Sequence, residues 1–123
     1  MFRSVHPVCP VTNITRTLEF WVRLGFDLDF VDTSDPETAS YCGVRRDGLL
    51  IHLQAFTPDQ LKMTQTMAIR VELENVEALN ALGAEWEPLG VISAPLGDRP
   101  WGNREFGLYD PDKTPFFFCV GAG

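Results

Sequence analysis

The chain has 123 residues, of which 45% are hydrophobic and 22% are charged. This length and composition predict one globular domain that folds without disulfides or a structural metal. The 17 acidic and 10 basic residues give a formal net charge of −7, which argues against a nucleic-acid or anionic-membrane partner. Three cysteines without paired spacing, an N-terminus unlike a signal peptide and the lack of a long apolar run favour a cytoplasmic protein with reduced thiols.

The first module, about residues 1–56, predicts a strand, a helix and three further strands. Two prolines in the first strand favour an edge position. The helix begins after Asn13, an N-cap residue, and its apolar residues recur at the spacing of one helix face before Gly25 ends it. The predicted elements are a strand over 2–11, a helix over 14–24, and strands over 26–30, 40–45 and 49–55.

A polar connection, about residues 57–66, separates this module from a second one, about 67–123, with the same order of elements. Asn75 repeats Asn13 after 62 positions, and the pair Asp112-Lys113 repeats Asp47-Gly48 after 65 positions. A short helix is expected to stop at Gly83. The predicted elements are a strand over 67–73, a helix over 76–82, strands over 85–94, 104–109 and 115–120, and a loop over 96–103.

Neither module has enough apolar surface for a core of its own, so the two are expected to form one domain. The predicted fold class is α+β, with two tandem βαβββ modules that form a curved mixed sheet. Helices would cover the outer face, and the other face would line a concave ligand site.

Two segments of the chain match a known pattern: VTNITRTLEFWVRLGFDLDF near the start and DRPWGNREFGLYDPDKTPFFF near the end. With this element order the chain resembles the vicinal oxygen chelate (glyoxalase/bleomycin resistance/dioxygenase) superfamily, and within it the bleomycin resistance proteins. The resemblance implies a homodimer with ligand clefts between subunits. It also leaves open an exchange of the N-terminal strand, with Pro7 as its hinge.

Metal ligands of superfamily enzymes are implied near the middle of the first and last strand of each module. In the first module these positions fall on His6 and His52. By the internal repeat, the equivalent positions of the second module are Ala68 and Phe117, neither of which can bind a metal. The prediction is therefore that there is no cofactor and no metal, with His6 and His52 as the remaining metal candidates.

The ligand site is predicted from strand alternation and from the resemblance. Alternation places His52 on the face opposite Ile51 and Leu53, and it places Arg70 beside Ala68. The resemblance places Phe30 at an aromatic cleft position and Trp101 at the position of a drug-stacking ring. The predicted ligand-binding residues are Trp101, Gly102, Phe30, Asp32, His52, His6, Arg70 and Phe117.

Each of these residues also has a plain structural interpretation. The two histidines could be hydrogen-bonded polar residues, Trp101 could anchor its loop, and Asp32 could be a solvated strand end. The chain shows no nucleophile elbow and no phosphate-binding glycine loop, so no catalytic residue is predicted.

The predicted function is a non-catalytic protein that confers antibiotic resistance by binding bleomycin-type or similar cationic planar drugs. Two alternatives stay open. One is a metal-dependent enzyme of the same superfamily, of glyoxalase, thiol transferase or dioxygenase type. The other is a binding module for an unrelated metabolite.

Overall fold

Each half of the chain folds into a four-stranded mixed sheet with one long helix. The structure is a computed structural model that describes residues 1–64 and 67–121. It divides into two compact units, Met1–Gln65 and Thr66–Gly123, with the boundary inside the predicted connection. The predicted α+β fold with two tandem modules is confirmed, and the eight strands within the described residues form two sheets, one in each unit.

The first unit has the strand order β1-β4-β3-β2, with β1 parallel to β4 and the other pairs antiparallel. The Asn13 side chain accepts a hydrogen bond from the Arg16 backbone N–H at 2.9 Å and so caps the first helix, as predicted. Gly25, at φ +87°, follows the end of that helix. The elements are β1 (Val8–Val11), α1 (Ile14–Arg23), β2 (Asp27–Val31), β3 (Tyr41–Arg46), β4 (Leu49–Ala55) and α2 (Pro58–Lys62).

The second unit repeats this topology with the strand order β5-β8-β7-β6. Its core is aromatic, since the rings of Trp86, Phe106, Phe116 and Phe118 are fully buried and pack on one another. The elements are β5 (Ile69–Glu72), α3 (Val76–Trp86), β6 (Ile92–Asp98), β7 (Arg104–Tyr109) and β8 (Pro115–Val120).

Four predicted boundaries were wrong: the end of α3, both ends of β6 and the start of the first strand. Helix α3 continues through Gly83 to Trp86, so the strand expected over 85–94 does not form there, and β6 extends to Asp98 into the predicted loop. Gly83 is buried, and a Cβ on it would lie 3.2 Å from the Leu96 side chain, so this glycine permits close packing instead of ending the helix. The first strand begins at Val8 rather than residue 2, and α2 occupies part of the predicted connection.

The internal repeat extends to an irregularity of the two sheets. The pairing of β2 with β3 shifts between Leu28 and Phe30, and the pairing of β6 with β7 shifts between Ile92 and Ala94. The residues opposite the shifts are glycines, Gly43 and Gly107. Their partners on the next strand are His52 and Phe117. Gly43 is therefore structurally equivalent to Gly107, and His52 to Phe117, as the internal repeat of the sequence indicated.

Among the described residues, no helix has the length and apolar character that crossing a membrane would require.

Candidate functional site

Four rings gather on one face of the first unit's sheet; they are called the aromatic cluster and consist of Phe30, Tyr41, His52 and His6. The Phe30 ring meets the His52 ring edge-on with centroids 5.0 Å apart, and it stacks toward Tyr41 at 6.1 Å. The imidazoles of His6 and His52 stack at 5.3 Å with only 14° between their planes. The cluster brings together three of the residues that the sequence predicted for the ligand site.

Strand alternation places the cluster on the face away from α1. Ile51 and Leu53 are fully buried on the helix side of β4, whereas His52 between them is only partly buried. The His52 backbone N–H donates to the Pro7 carbonyl at 2.9 Å, which extends the β1–β4 pairing and holds His6 close to His52. The predicted orientation of His52 thus agrees with the structure.

Gly43 makes room for the ring of Phe30. The two residues are directly paired across β2 and β3, and a Cβ on Gly43 would overlap three atoms of the ring. Because residue 43 has no side chain, the ring can lie flat across the middle of the sheet. Phe30 nevertheless stays 37% exposed, so it presents an apolar surface to solvent.

Tyr41 fixes the orientation of His52. The Tyr41 hydroxyl lies 2.8 Å from Nδ1 of His52. Burial lowers the pKa of His52, and the neighbouring His6 lowers it further, against an opposing effect of Asp29. His52 is therefore neutral near neutral pH, and its Nδ1 can accept the Tyr41 proton. At that pH the aromatic cluster carries no charge on His52.

The described side chains do not fit the metal centre that the family resemblance implies. No group of three or more His, Cys, Asp or Glu side chains within residues 1–64 and 67–121 is arranged to hold a metal ion. Nδ1 of His52 is engaged by Tyr41, and Nε2 of His6 lies 3.0 Å from the Ser4 hydroxyl. The pairing of β5 with β8 puts Ala68 and Phe117 at the equivalent positions of the second unit, and neither supplies a donor.

Asp32 closes the loop that follows β2. Its carboxylate accepts hydrogen bonds from the Ser40 backbone N–H at 3.2 Å and from the Ser40 hydroxyl. The hydroxyl bond is the largest cause of a pKa of Asp32 below its ordinary value. The contacts agree with a structural role at the base of the loop, and contact of Asp32 with a ligand stays a prediction.

A charged row crosses the second unit's sheet and consists of Arg70, Glu105 and Arg99. Glu105 is only 3% exposed, and its two carboxylate oxygens lie 3.6 Å from Arg70 Nη1 and 3.7 Å from Arg99 Nε. Arg70 also donates to the Cys119 sulfur at 3.3 Å, and Phe117 is its direct partner across β5 and β8. Arg70 and Phe117, two of the predicted ligand-binding residues, are thus neighbours.

Glu105 and Arg99 were not predicted as site residues. Alternation along β7 could have indicated Glu105, because Phe106 and Leu108 are plainly core residues and Glu105 shares the other face with Gly107. Arg99 had no such signal, since it lies in a loop where alternation carries no information.

Trp101 stands exposed in the turn between β6 and β7. Gly102, at φ +99°, donates its N–H to the Arg99 carbonyl at 2.9 Å, and the Arg99 N–H bonds the Asn103 carbonyl at 2.8 Å. The turn is therefore closed by its own backbone, while the Trp101 side chain remains 66% exposed. A ring that anchors a loop buries its surface, so this exposure does not fit the loop-anchor interpretation of Trp101, and its contact with a ligand stays a prediction.

The profile of the glyoxalase/bleomycin resistance protein/dioxygenase superfamily matches residues 3–116 of the chain. Among curated protein sequences, none matches this chain.

Solved structures show the same fold at low sequence identity. A bleomycin resistance determinant encoded on the transposon Tn5 superposes with a TM-score of 0.78 at 19% identity, covering 99% of this chain and 100% of that one. The bleomycin-binding protein of Streptomyces verticillus, in complex with copper(II)-bleomycin, gives a TM-score of 0.75 at 25% identity, with 99% and 98% covered. A glyoxalase/bleomycin resistance protein/dioxygenase from Alicyclobacillus acidocaldarius gives 0.75 at 15% identity, with 98% and 92% covered.

Proposed function

Because the chain belongs to the glyoxalase/bleomycin resistance protein/dioxygenase superfamily, we propose that it is a non-catalytic binding protein that sequesters a planar, cationic small molecule of the bleomycin type. The observation that carries the proposal is the exposed ring of Phe30, supported by Gly43 beneath it and by His52 at its edge. The Phe30 ring thus presents an apolar surface on the sheet face away from the helix.

The chemistry of the aromatic cluster suits such a ligand. Flat aromatic side chains stack on planar rings and attract cations over their faces. A neutral His52 adds no repulsion toward a cation, and the carboxylate of Asp32 lies at the end of the strand that carries Phe30. The carboxylate of Asp29, on the same strand, is already paired with Arg45 at 3.2 Å. The net charge of −7 favours the approach of a cation to the protein as a whole.

Two rings of the second unit are proposed as further ligand contacts. The exposed ring of Trp101 offers a second stacking surface. The ring of Phe117 lies close to Gly107, with a would-be Cβ of that glycine 3.1 Å from the ring. Each of these rings is proposed as a ligand contact in its own right. Gly102 serves the site by giving the Trp101 turn its positive φ.

The proposed mode of action is stoichiometric retention of the drug by a cytoplasmic homodimer. In the structure β1 pairs with β4 of the same chain, and an exchange of β1 between two copies would preserve that pairing register. A homodimer and the exchange are both proposals. Sedimentation equilibrium tests the first, since a monomer at micromolar concentration that still binds ligand contradicts clefts built across subunits.

The alternative is a metal-dependent enzyme of the same superfamily. For its metal centre the described residues offer two imidazoles and no third side-chain ligand. Native mass spectrometry of the purified protein with added bleomycin separates the proposals, because it reports subunits, metal and ligand together. We expect a dimer that gains bleomycin and carries no stoichiometric metal. One divalent ion per site, lost on His52→Ala, would favour the enzyme and contradict sequestration alone.

A pair of variants on β2 tests the aromatic cluster itself. Phe30 pairs with Gly43 and faces the cluster, whereas Leu28 pairs with Val44 and so points to the opposite face. The two side chains are similarly exposed, at 37% and 42%. Phe30→Ala is expected to weaken bleomycin binding at least about tenfold, while Leu28→Ala leaves it unchanged. Equal losses in both variants would contradict a site at the cluster.

A further inference from the structure

His52 has one ring nitrogen engaged within the protein and one that is available to a ligand. Its Nδ1 lies 2.8 Å from the Tyr41 hydroxyl. Its Nε2 has no hydrogen-bond partner among the described residues, and it is open to solvent rather than buried. Nε2 also lies at the end of the imidazole that is farther from the backbone. A ligand bound at the aromatic cluster can therefore reach this atom.

The contact with Tyr41 decides which nitrogen of neutral His52 carries the proton. A phenol hydroxyl can donate to an unprotonated imidazole nitrogen. In the opposite arrangement Nδ1 would donate to the phenol oxygen, and the phenol proton would have no acceptor within the described part of the chain. The hydrogen bond at one ring nitrogen sets the state of the other. Nδ1 is thus assigned as the acceptor, and Nε2 carries the proton and is a donor.

The neighbouring rings fix the direction of this donor. The His6 imidazole stacks on the His52 ring with centroids 5.3 Å apart. Tyr41 and Phe30 meet the same ring edge-on, at 5.5 Å and 5.0 Å. Together with the hydrogen bond at Nδ1, these contacts hold the imidazole in one orientation. A donor that is oriented before binding loses little conformational entropy when a ligand accepts its hydrogen bond.

The donor lies beside the surface proposed for stacking. Gly43 pairs with Phe30 across β2 and β3 and with His52 across β3 and β4, so no side chain separates the two rings. A flat ligand stacked on the exposed side of Phe30 would therefore have an edge next to His52. A ligand with only N–H groups at that edge would set one donor against another. A cationic ligand must also offer an acceptor there.

From these observations we propose that Tyr41 is a positioning residue that keeps the proton of His52 on Nε2, and that Nε2–H donates a hydrogen bond to an acceptor at the edge of the ligand's planar ring system. The acceptor is an unprotonated ring nitrogen or a carbonyl oxygen. This inference rests on the proposed function and narrows its ligand class, because a planar cation without such an acceptor leaves the His52 donor unpaired.

The position of the proton can be measured without a ligand. Long-range ¹H–¹⁵N NMR at pH 8, where His52 is neutral, distinguishes a protonated ring nitrogen from an unprotonated one. We expect a single form of His52, with the proton on Nε2. Tyr41→Phe removes the hydroxyl and should give a mixture of both forms, which a loss of packing alone would not produce. A wild type protonated on Nδ1 would overturn the proposal, and an unchanged single form in Tyr41→Phe would overturn the role of Tyr41.

Two uncharged variants of His52 test the hydrogen bond to the ligand. Glutamine places its amide group as far from the backbone as Nε2, whereas asparagine places its amide group only as far as Nδ1. In calorimetric titrations with bleomycin, His52→Asn should bind about three- to tenfold more weakly than His52→Gln, because only glutamine restores a donor at the position of Nε2. Both variants lack the imidazole, so a loss of stacking would weaken binding equally in both.

Circular dichroism verifies that both variants are folded. Equal affinity of the two folded variants would overturn the hydrogen bond from His52 while leaving drug sequestration intact. A wild type that does not bind bleomycin would instead contradict the proposed function, and this inference with it.

Discussion

The ring of Phe30 occupies the space above Gly43 that any side chain at residue 43 would need. A looser form of this relationship occurs in the second unit, where a Cβ on Gly107 would lie 3.1 Å from the Phe117 ring, which comes from the neighbouring strand on the other side. A glycine in the middle of each sheet thus supports an aromatic ring on the face proposed to bind the ligand. The role of Gly43 is steric, since it is not among the residues with positive φ.

Gly43→Ala tests this support. The added methyl group must displace the Phe30 ring, so we expect a loss of about 1–3 kcal/mol in the free energy of unfolding, as is typical of overpacking. Urea unfolding provides the measurement. Gly48→Ala is the matched control, because a Cβ on Gly48 meets nothing within 4 Å. A Gly43→Ala protein as stable as the control would show that the ring is free to move aside.

The two histidines give a pH prediction. Burial and then His6 lower the pKa of His52, so it should titrate below its ordinary value of 6.5. A histidine whose pKa is lowered in the folded state contributes its full stabilisation above pH 6.5, the ordinary pKa that it has in the unfolded chain. This contribution is lost as the pH falls through the folded-state pKa. His6→Ala removes both a covering ring and a like charge, so it should raise the pKa of His52.

The imidazole ¹H signals measure the pKa of His52 in the wild type and in His6→Ala, and they are easily assigned since the chain contains only two histidines. The acid-side loss of stability should shrink in His52→Asn, which keeps a polar atom near Tyr41 and does not titrate. A pKa of His52 at or above 6.5, unchanged by His6→Ala, would contradict the stacked arrangement.

The cysteines are expected to be unreactive in the folded protein. All three are buried, and burial raises the pKa of the Cys42 thiol to about 11 and also raises that of Cys119. Thiolate is the reactive form, so iodoacetamide at pH 8 should modify the native protein very slowly and the urea-unfolded protein at three sites. Mass spectrometry counts the added groups. Rapid modification of Cys42 in the native protein would refute its burial.

Glu105 is expected to stabilise the second unit through its two arginine neighbours. Glu105→Gln leaves Arg70 and Arg99 without their shared counter-charge, which should lower the free energy of unfolding by about 1–3 kcal/mol. Glu74→Gln, at an exposed position, serves as the control. Thermal unfolding at low and high salt provides the measurement. A Glu105→Gln protein as stable as the wild type would contradict this expectation, because the free-energy cost of burying the carboxylate would then equal the stabilisation from its two ion pairs.

The sequence predicted those features that depend on local patterns. The Asn13 cap and the alternation around His52 depend on neighbouring residues, and the structure agrees with both. Of the predicted apolar face of α1, Ile14 and Trp21 are buried, whereas Val22 is 50% exposed. The repeat in the sequence also paired His52 with Phe117 correctly, because both occupy the same register opposite a glycine.

Features that depend on tertiary contacts escaped prediction. Gly83 has the sequence signature of a helix end, and only the proximity of Leu96 shows why α3 passes through it. The contact of Arg99 with Glu105 joins a loop to a strand, so no periodic pattern reveals it. The helix α2 did have a local signal, the capping box of Thr57 and Gln60, which the polar composition of the segment concealed.

Calorimetric titration of bleomycin into the wild type and Trp101→Ala decides whether the chain binds the drug through this exposed ring, with circular dichroism to verify folding. We expect the wild type to bind and the folded variant to bind at least about tenfold more weakly, since a stacking ring at a binding site often contributes about 2 kcal/mol or more. Trp101→Phe should retain most of the affinity because it keeps an aromatic face. An absence of binding heat with the wild type at several temperatures, or equal affinity in Trp101→Ala, would contradict drug sequestration by this surface.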